Sequence, residues 1–248
     1  MCADLPPTRT HSLGALLELA HVLPIENSTN DWLHDDSFKA VLEAKANGVS
    51  CYQEGEAHLG FVRVGELIGD ETIEIDFYIR ARRAAEFAGF QKTEAAQFIA
   101  AIVELYGNVV EHSCAVPSAY VAFAAYDDCF EFIVADSGIG VLQSLRSSSQ
   151  FSDLKDNGSA LELALTEGIS RHISEADRGR GFRPLFLGLA NVSEYLRFRS
   201  GDHSRELRRL TDGSIPAVTS QKPELAGFFC FVRCKSKKGT RALPNSFS

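Results

Sequence analysis

The apolar positions of this chain recur with two different periods, and the switches between them mark out its elements. In "LGALLELAHVL", residues 13–23, they fall at helical spacing behind Thr10 and Ser12, either of which can cap a helix. "DDSFKAVLEAKANG" repeats that pattern, with Asp35, Asp36 or Ser37 at its start and Asn47-Gly48 as its stop. "VSCYQEG", "HLGFVRVGEL" and "TIEIDFYI" read as strands, and in the last of these Ile73, Ile75 and Phe77 alternate with polar neighbours. "ARRAAEFAGF" predicts a short helix ended by Gly89, and Thr93 can cap a long one running to about Ser113. "SAYVAFAAYDDCFEFIVAD" predicts a β-hairpin joined at Asp127-Asp128. After a polar stretch, "ALELALTEGISRHI" and "LFLGLANVSEY" predict helices and "EYLRFRSG" a strand. Asp202 to Glu224 read as a polar loop, before a final strand in "AGFFCFVRCK".

Helices and hairpins in this order predict an α/β protein built as a two-layer sandwich rather than a doubly wound parallel sheet. The texture changes near residue 80. Residues 1–79 form an N-terminal α/β region with no chemical motif, residues 80–240 the main domain, and residues 241–248 a flexible tail. The first ten residues, with two prolines and no pattern, predict a mobile start.

Composition narrows the function classes. A 248-residue chain with 45% hydrophobic and 23% charged residues, and a mean hydropathy near zero, is ordinary for a soluble globular protein. A net charge of -8 disfavours nucleic acid and anionic membranes as partners, which call for a basic surface. It leaves room for a local basic patch at Arg178, Arg180 and Arg183. No apolar run reaches the roughly twenty residues of a membrane helix. The first helix, broken by Glu18 and His21, makes a poor signal peptide, so a cytoplasmic protein is expected. The six cysteines form no C-x-x-C pair, which argues against zinc and for free thiols in a reducing compartment.

Three stretches hold candidate chemistry. In "AAIVELYGNVVEHS", residues 100–113, Glu104, Asn108 and His112 recur every fourth position, lining up a carboxylate, an amide and an imidazole on one helix face. In "IVADSGIG" an apolar strand ends at Asp136, whose carboxylate can accept from an exocyclic amine, and Gly138 and Gly140 allow backbone to approach a flat ring. Taken alone, this is more readily a common Asp-x-Gly turn. In "DRGRGF" the amides around Gly179 and Gly181, before a helix, can wrap phosphates, and Arg178, Arg180 and Arg183 add positive charge. Alone it is equally a solvated basic loop. It is neither a Walker A loop nor a dinucleotide fingerprint.

The order of the three motifs resembles the GHKL group of ATP-binding proteins, which includes gyrase-type topoisomerases, heat-shock chaperones, histidine kinases and mismatch-repair ATPases. "ELYGNVVEHS" is similar to their N-box, "DSGIG" to the first glycine box and "GRG" to the second, over about residues 80 to 235. The resemblance implies a Bergerat-type ATP-binding fold with a mixed, largely antiparallel sheet, and ATP and Mg²⁺ as ligands. It assigns Glu104 as the general base and Asn108 as the protein ligand to a metal held mainly by the triphosphate. His112 would lie near the phosphates or ribose, and Asp136 would accept from the adenine amine beside Gly138 and Gly140. Residues from about Leu142 to Arg178 would form a lid, with Gly179, Arg180, Gly181 and Arg183 on its phosphate side.

Two departures qualify the implied chemistry. Arg183 stands where the second box usually has its last glycine, and Glu111 where relatives often have lysine. None of His11, His21, His34 and His58 lies in a phospho-acceptor context, and gyrase-like or chaperone-like enzymes need further large domains. The resemblance therefore points to the compact class of anti-sigma serine kinases and their stand-alone relatives. The expected function is a small Mg-ATP-binding regulatory protein kinase for Ser/Thr or an ATPase, with a regulatory protein as partner and a homodimer as one assembly. The alternatives are an ATP-gated interaction module with little turnover, or a scaffold that holds no nucleotide.

Overall fold

A computed structural model of the chain describes residues 12–22, 36–166, 189, 192–210 and 213–236. Its centre is a six-stranded antiparallel sheet of order β1-β2-β3-β4-β6-β5. The strands are β1 (Cys51–Gln53), β2 (His58–Arg63), β3 (Tyr120–Tyr126), β4 (Cys129–Asp136), β5 (Tyr195–Arg208) and β6 (Ala217–Lys235). Seven α-helices are seen among the described residues: α1 (Leu13–Val22), α2 (Asp36–Asn47), α3 (Val64–Gly69), α4 (Glu71–Phe87), α5 (Lys92–His112), α6 (Gly140–Arg146) and α7 (Asn157–Thr166).

The alternation of side chains along β3 and β4 sends apolar groups to both faces of the sheet. Val121, Phe123, Phe130, Phe132 and Val134 pack with Phe77, Phe98, Ile102 and Leu105 of α4 and α5. Tyr120, Ala122, Ala124, Ile133 and Ala135 meet Leu13, Leu16, Leu17, Phe38 and Val41 of α1 and α2. Strands buried on both faces read as near-continuous apolar runs, and "YVAFAAY" and "CFEFIVAD" do. Among the described residues, helices thus cover both faces: α4 and α5 form the expected second layer, and α1 and α2 add a third. The expected division at residues 79 and 80 falls inside α4, and β1 and β2 continue the same sheet.

Several sequence expectations are corrected: "HLGFVRVGEL" is a strand only to Arg63 and helical from Val64, and α5 is capped by Gln91 rather than Thr93. "TIEIDFYI" is helical, within α4. Asp70 caps that helix by accepting from the Thr72 amide at 2.8 Å, and Phe77, Ala81, Ala84 and Ala85 bury one stripe at helical spacing. The alternating Ile73 and Ile75 are only half-buried and exposed, respectively, so the period of two was a short coincidence inside a longer period of 3.6. Asp202 to Glu224 is mostly paired ribbon rather than loop: His203 to Leu207 stand opposite Ala217 to Gln221. Polar cross-strand contacts hold it, Ser204 to Ser220 at 3.2 Å and Arg205 to Thr219 at 2.7 Å, so no hydrophobic alternation betrays it.

The N-terminal layer is fastened by buried carboxylates. Glu131, fully buried on β4, accepts from the Ser12 hydroxyl at 3.2 Å, the Gly14 amide at 3.3 Å and the Tyr126 hydroxyl at 2.7 Å. It thereby caps the start of α1 from across the core. Glu18 of α1 takes Arg197 Nη1 at 2.5 Å and Arg199 Nη1 at 2.8 Å, and Arg199 is only 3% exposed. Five cysteines are free among the described residues; Cys129, Cys230 and Cys234 are buried and Cys114 is exposed. No described helix is long and apolar enough to cross a membrane.

Removing one partner of a buried ion pair leaves an uncompensated charge, which costs about 3–5 kcal/mol. Glu18→Ala, which strands Arg199, is expected to lower unfolding free energy by about that amount in urea titration. The exposed pair Arg82–Glu86, at 3.0 Å, sets the comparison: Glu86→Ala is expected to cost about 0.5 kcal/mol.

Candidate functional site

The site starts from the polar line on α5. Glu104 is exposed, Asn108 and His112 are half-buried, and the opposite stripe, with Phe98, Ile102, Leu105 and Val109, is buried in the core. Asn108 Nδ2 donates to the Glu104 carbonyl at 2.6 Å, which leaves Oδ1 as the acceptor the side chain offers on this face. His112 Nε2 lies 3.8 Å from a Glu111 carboxylate oxygen. At 1.5 Å per residue the line from Glu104 to His112 spans about 12 Å.

The line runs into the Asp136 turn. One residue past α5, the Ser113 carbonyl accepts from the Ile139 amide at 3.0 Å, which joins the helix end to "DSGIG". Gly138 makes this approach feasible, since a Cβ there would stand 2.0 Å from the Ser113 oxygen. Asp136 ends β4, is 2% exposed, and accepts from the Gly138 amide through Oδ1 at 2.7 Å. From the other side comes Gly227 of β6, at φ +74°, where a Cβ would meet the Asp136 carbonyl oxygen at 2.2 Å. Gly140, also at positive φ, opens α6 beside Ser200, whose hydroxyl donates to the Gly227 carbonyl at 2.9 Å and accepts from the Val141 amide at 2.9 Å.

Burial pushes the Asp136 carboxyl up to about 6, against the opposing pull of its hydrogen bonds from the Gly138 and Phe228 amides. At neutral pH it is an ionised acceptor in a largely desolvated place, a combination typical of recognition sites. His21 of α1 stands behind the same strand end. Its Nε2 lies 3.0 Å from the Ala226 carbonyl, and burial lowers its proton affinity, so the ring is neutral.

The structure joins the turn of Asp136, Gly138 and Gly140 to the end of α5 through Ser113, with His112 next to that junction and Asn108 and Glu104 one and two turns further back on the helix. Gly179, Arg180, Gly181 and Arg183 lie outside the described residues. The described first part of the expected lid is folded: α6, a 3-10 turn at Ser149–Phe151 and α7 bury Leu145, Phe151, Ala160 and Ala164 among themselves. α7 is tied to the ribbon by Asn157 to Asp202 at 2.9 Å and Arg205 to Glu162 at 3.1 Å. Ser113, Ser200, Gly227 and His21 take part without having been singled out by sequence. Two of them were detectable, because Gly201 after Ser200, and Gly227, interrupt strands where glycine marks a bulge or a close approach.

Among the described residues no three of His, Cys, Asp and Glu cluster to hold a metal ion. A magnesium ion at Asn108 would have to be carried mainly by its nucleotide, and a lone amide oxygen is a suitable last ligand for such a hard cation. Comparison of the chain with family models, with curated proteins and with solved structures finds no match.

A carboxyl whose folded proton affinity is raised makes the native state bind more protons than the unfolded one between about pH 4 and 6, so stability falls as pH rises through that window. The penalty is complete above about pH 6 and amounts to roughly 3 kcal/mol at 1.36 kcal/mol per unit. Asp136→Asn is expected to remove this component of the slope, measured by urea unfolding from pH 4 to 7. Gly138→Ala is expected to cost about 1–3 kcal/mol through overpacking on the Ser113 carbonyl.

Proposed function

We propose that this protein is a GHKL-like, Mg-ATP-binding regulator with a Bergerat-type site between α5 and the Asp136 turn. The observation that carries the reading is the buried Asp136 carboxylate, closed in by Gly138 and Gly227 and joined through Ser113 to the helix that bears Glu104 and Asn108. Asp136 accepts the adenine amine, and Gly138 and Gly140 let the base lie against backbone. Asn108 Oδ1 completes the metal's coordination. The metal, when bound with the nucleotide, neutralises charge that develops on the phosphates. Glu104, exposed one turn before Asn108, takes the proton from water or from a partner's serine or threonine hydroxyl. On this reading the chain is a small protein Ser/Thr kinase or an ATPase acting on, or alongside, a regulatory protein partner.

One observation favours the second reading, an ATP-gated interaction module with little turnover. Among the described residues no side chain hydrogen-bonds the Glu104 carboxylate, whereas a general base is ordinarily held in place by a further group. Folded α6 and α7, linked to the β5–β6 ribbon, then serve as the element that nucleotide binding repositions.

The two readings separate in one set of measurements. In thermal unfolding, Mg-ATP at a hundred times its Kd is expected to stabilise the wild type by about 2.7 kcal/mol. Asp136→Ala is expected to remove that stabilisation, and its persistence there would refute the site. Glu104→Gln is expected to keep ATP binding; loss of phosphate release or transfer marks the enzyme, and unchanged partner capture without turnover in either protein marks the module. ATP affinity is expected to weaken below about pH 6, as Asp136 is protonated and loses acceptor strength.

A further inference from the structure

On the opposite face of the sheet from α5, beside the start of α1, lies a half-open cleft of about 430 Å³. It arises because the β5–β6 ribbon is broken by bulges between Ser200 and His203 and turns at Gly201 (φ +57°) and Gly227 (φ +74°). The far end of β5 thereby returns to its own beginning: the Arg209 amide donates to the Glu194 carbonyl at 3.1 Å, and the Tyr195 hydroxyl donates to Glu206 at 2.9 Å. Arg208 and Arg209 are thus placed beside Tyr195 and Arg197, facing Arg233 and Lys235 of β6.

Five cations and two carboxylates, Glu18 and Glu194, line this cleft, a local excess of three positive charges in a chain whose net charge is -8. Part of the excess is answered from within. Arg197 meets Glu18 and Glu206, and Arg233 meets Glu131 and Glu194. The Nε groups of both arginines are buried and make no hydrogen bond of good geometry, their carboxylate neighbours standing at 3.4 and 3.5 Å. Arg208 and Lys235 have no carboxylate within ion-pair distance among the described residues; Arg208 lies over the Tyr195 ring at 5.3 Å. Ala15, Tyr195 and Phe231 supply an apolar floor.

We propose that this cleft is a second ligand site, separate from the Asp136 pocket, for a small phosphorylated molecule with at least two negative charges. Guanidinium groups suit phosphate by bidentate geometry, the volume falls in the usual range for small-molecule sites, and the apolar floor receives an organic substituent. The proposal does not depend on nucleotide binding at Asp136.

Titration calorimetry of the full chain with inorganic pyrophosphate and with phenyl phosphate tests it. Saturable binding of both is expected, with phenyl phosphate tighter than methyl phosphate because of the floor. The double variant Arg208→Glu, Lys235→Glu changes exposed side chains and is expected to weaken pyrophosphate at least about tenfold, as loss of charge-assisted hydrogen bonds implies. Arg82→Glu, remote on α4, and Asp136→Ala are expected to leave it unchanged. Circular dichroism confirms that the variants fold. Absence of pyrophosphate binding by the wild type, equal weakening by Arg82→Glu, or weakening by Asp136→Ala but not by the cleft variant would each overturn the proposal.

Discussion

Three backbone segments converge on Asp136 more closely than any β-carbon permits, and the rest of the site depends on that convergence. The end of α5 arrives through the Ser113 carbonyl, the turn after β4 through Gly138, and the middle of β6 through Gly227. A side chain at either glycine would force one element away by about the width of the contact. The helix carrying Glu104 and Asn108 would then lose its fixed distance from the Asp136 carboxylate. Ser200 completes the junction by linking Gly227 to the first turn of α6. The site is thus positioned by backbone packing, the most rigid means a protein has, while its chemistry rests on a few side chains that core packing does not need.

The N-terminal region, which carries no chemical motif, has a structural function in this arrangement. α1 and α2 bury the second face of β3 and β4, which would otherwise expose an apolar sheet. α1 is held by two acids that the core would reject if they were unpaired: Glu131 beneath its first turn and Glu18 between Arg197 and Arg199. The same helix places His21 against the Ala226 carbonyl, one residue from Gly227. The layer that closes the core therefore also braces the back of the Asp136 turn.

Much of this was legible in the chain. α1, α2, α5 and the β3–β4 hairpin follow the apolar period, Ser12 caps α1, and Asp127 turns the hairpin at φ +52° as its position suggests. The spacing of Glu104, Asn108 and His112, and the Asp136 turn, were visible as motifs, and the Ser113 carbonyl joins the helix that bears the first to the turn that bears the second. What was not legible has physical causes. Ile73, Ile75 and Phe77 mimic a strand because one turn of a half-exposed helix can alternate by chance, and the feature that decides the matter is the Asp70 cap. The β5–β6 ribbon is held by Ser, Thr, Arg and Glu rather than by apolar alternation, so a polar composition concealed a regular structure. The cleft beside α1 depends on a ribbon that doubles back, and no local pattern encodes that Arg197 and Arg208, thirty-six and twenty-five positions before Arg233, will line one cleft with it.

Electrostatics unite these features. The described part of the candidate site is acidic or neutral, with Glu104 and Glu111 on α5 and Asp136 past its end, whereas Arg197, Arg208, Arg233 and Lys235 of β5 and β6 gather on the far side of the sheet. Asp136 is set apart from those cations. Its carboxyl is held near neutral pH by burial and is satisfied by amides rather than by a cation. A lysine or arginine paired to it would keep it ionised more firmly but would occupy its acceptor oxygens. Leaving the carboxylate with peptide donors costs stability in the fold and keeps those oxygens available, the property on which the proposed site rests.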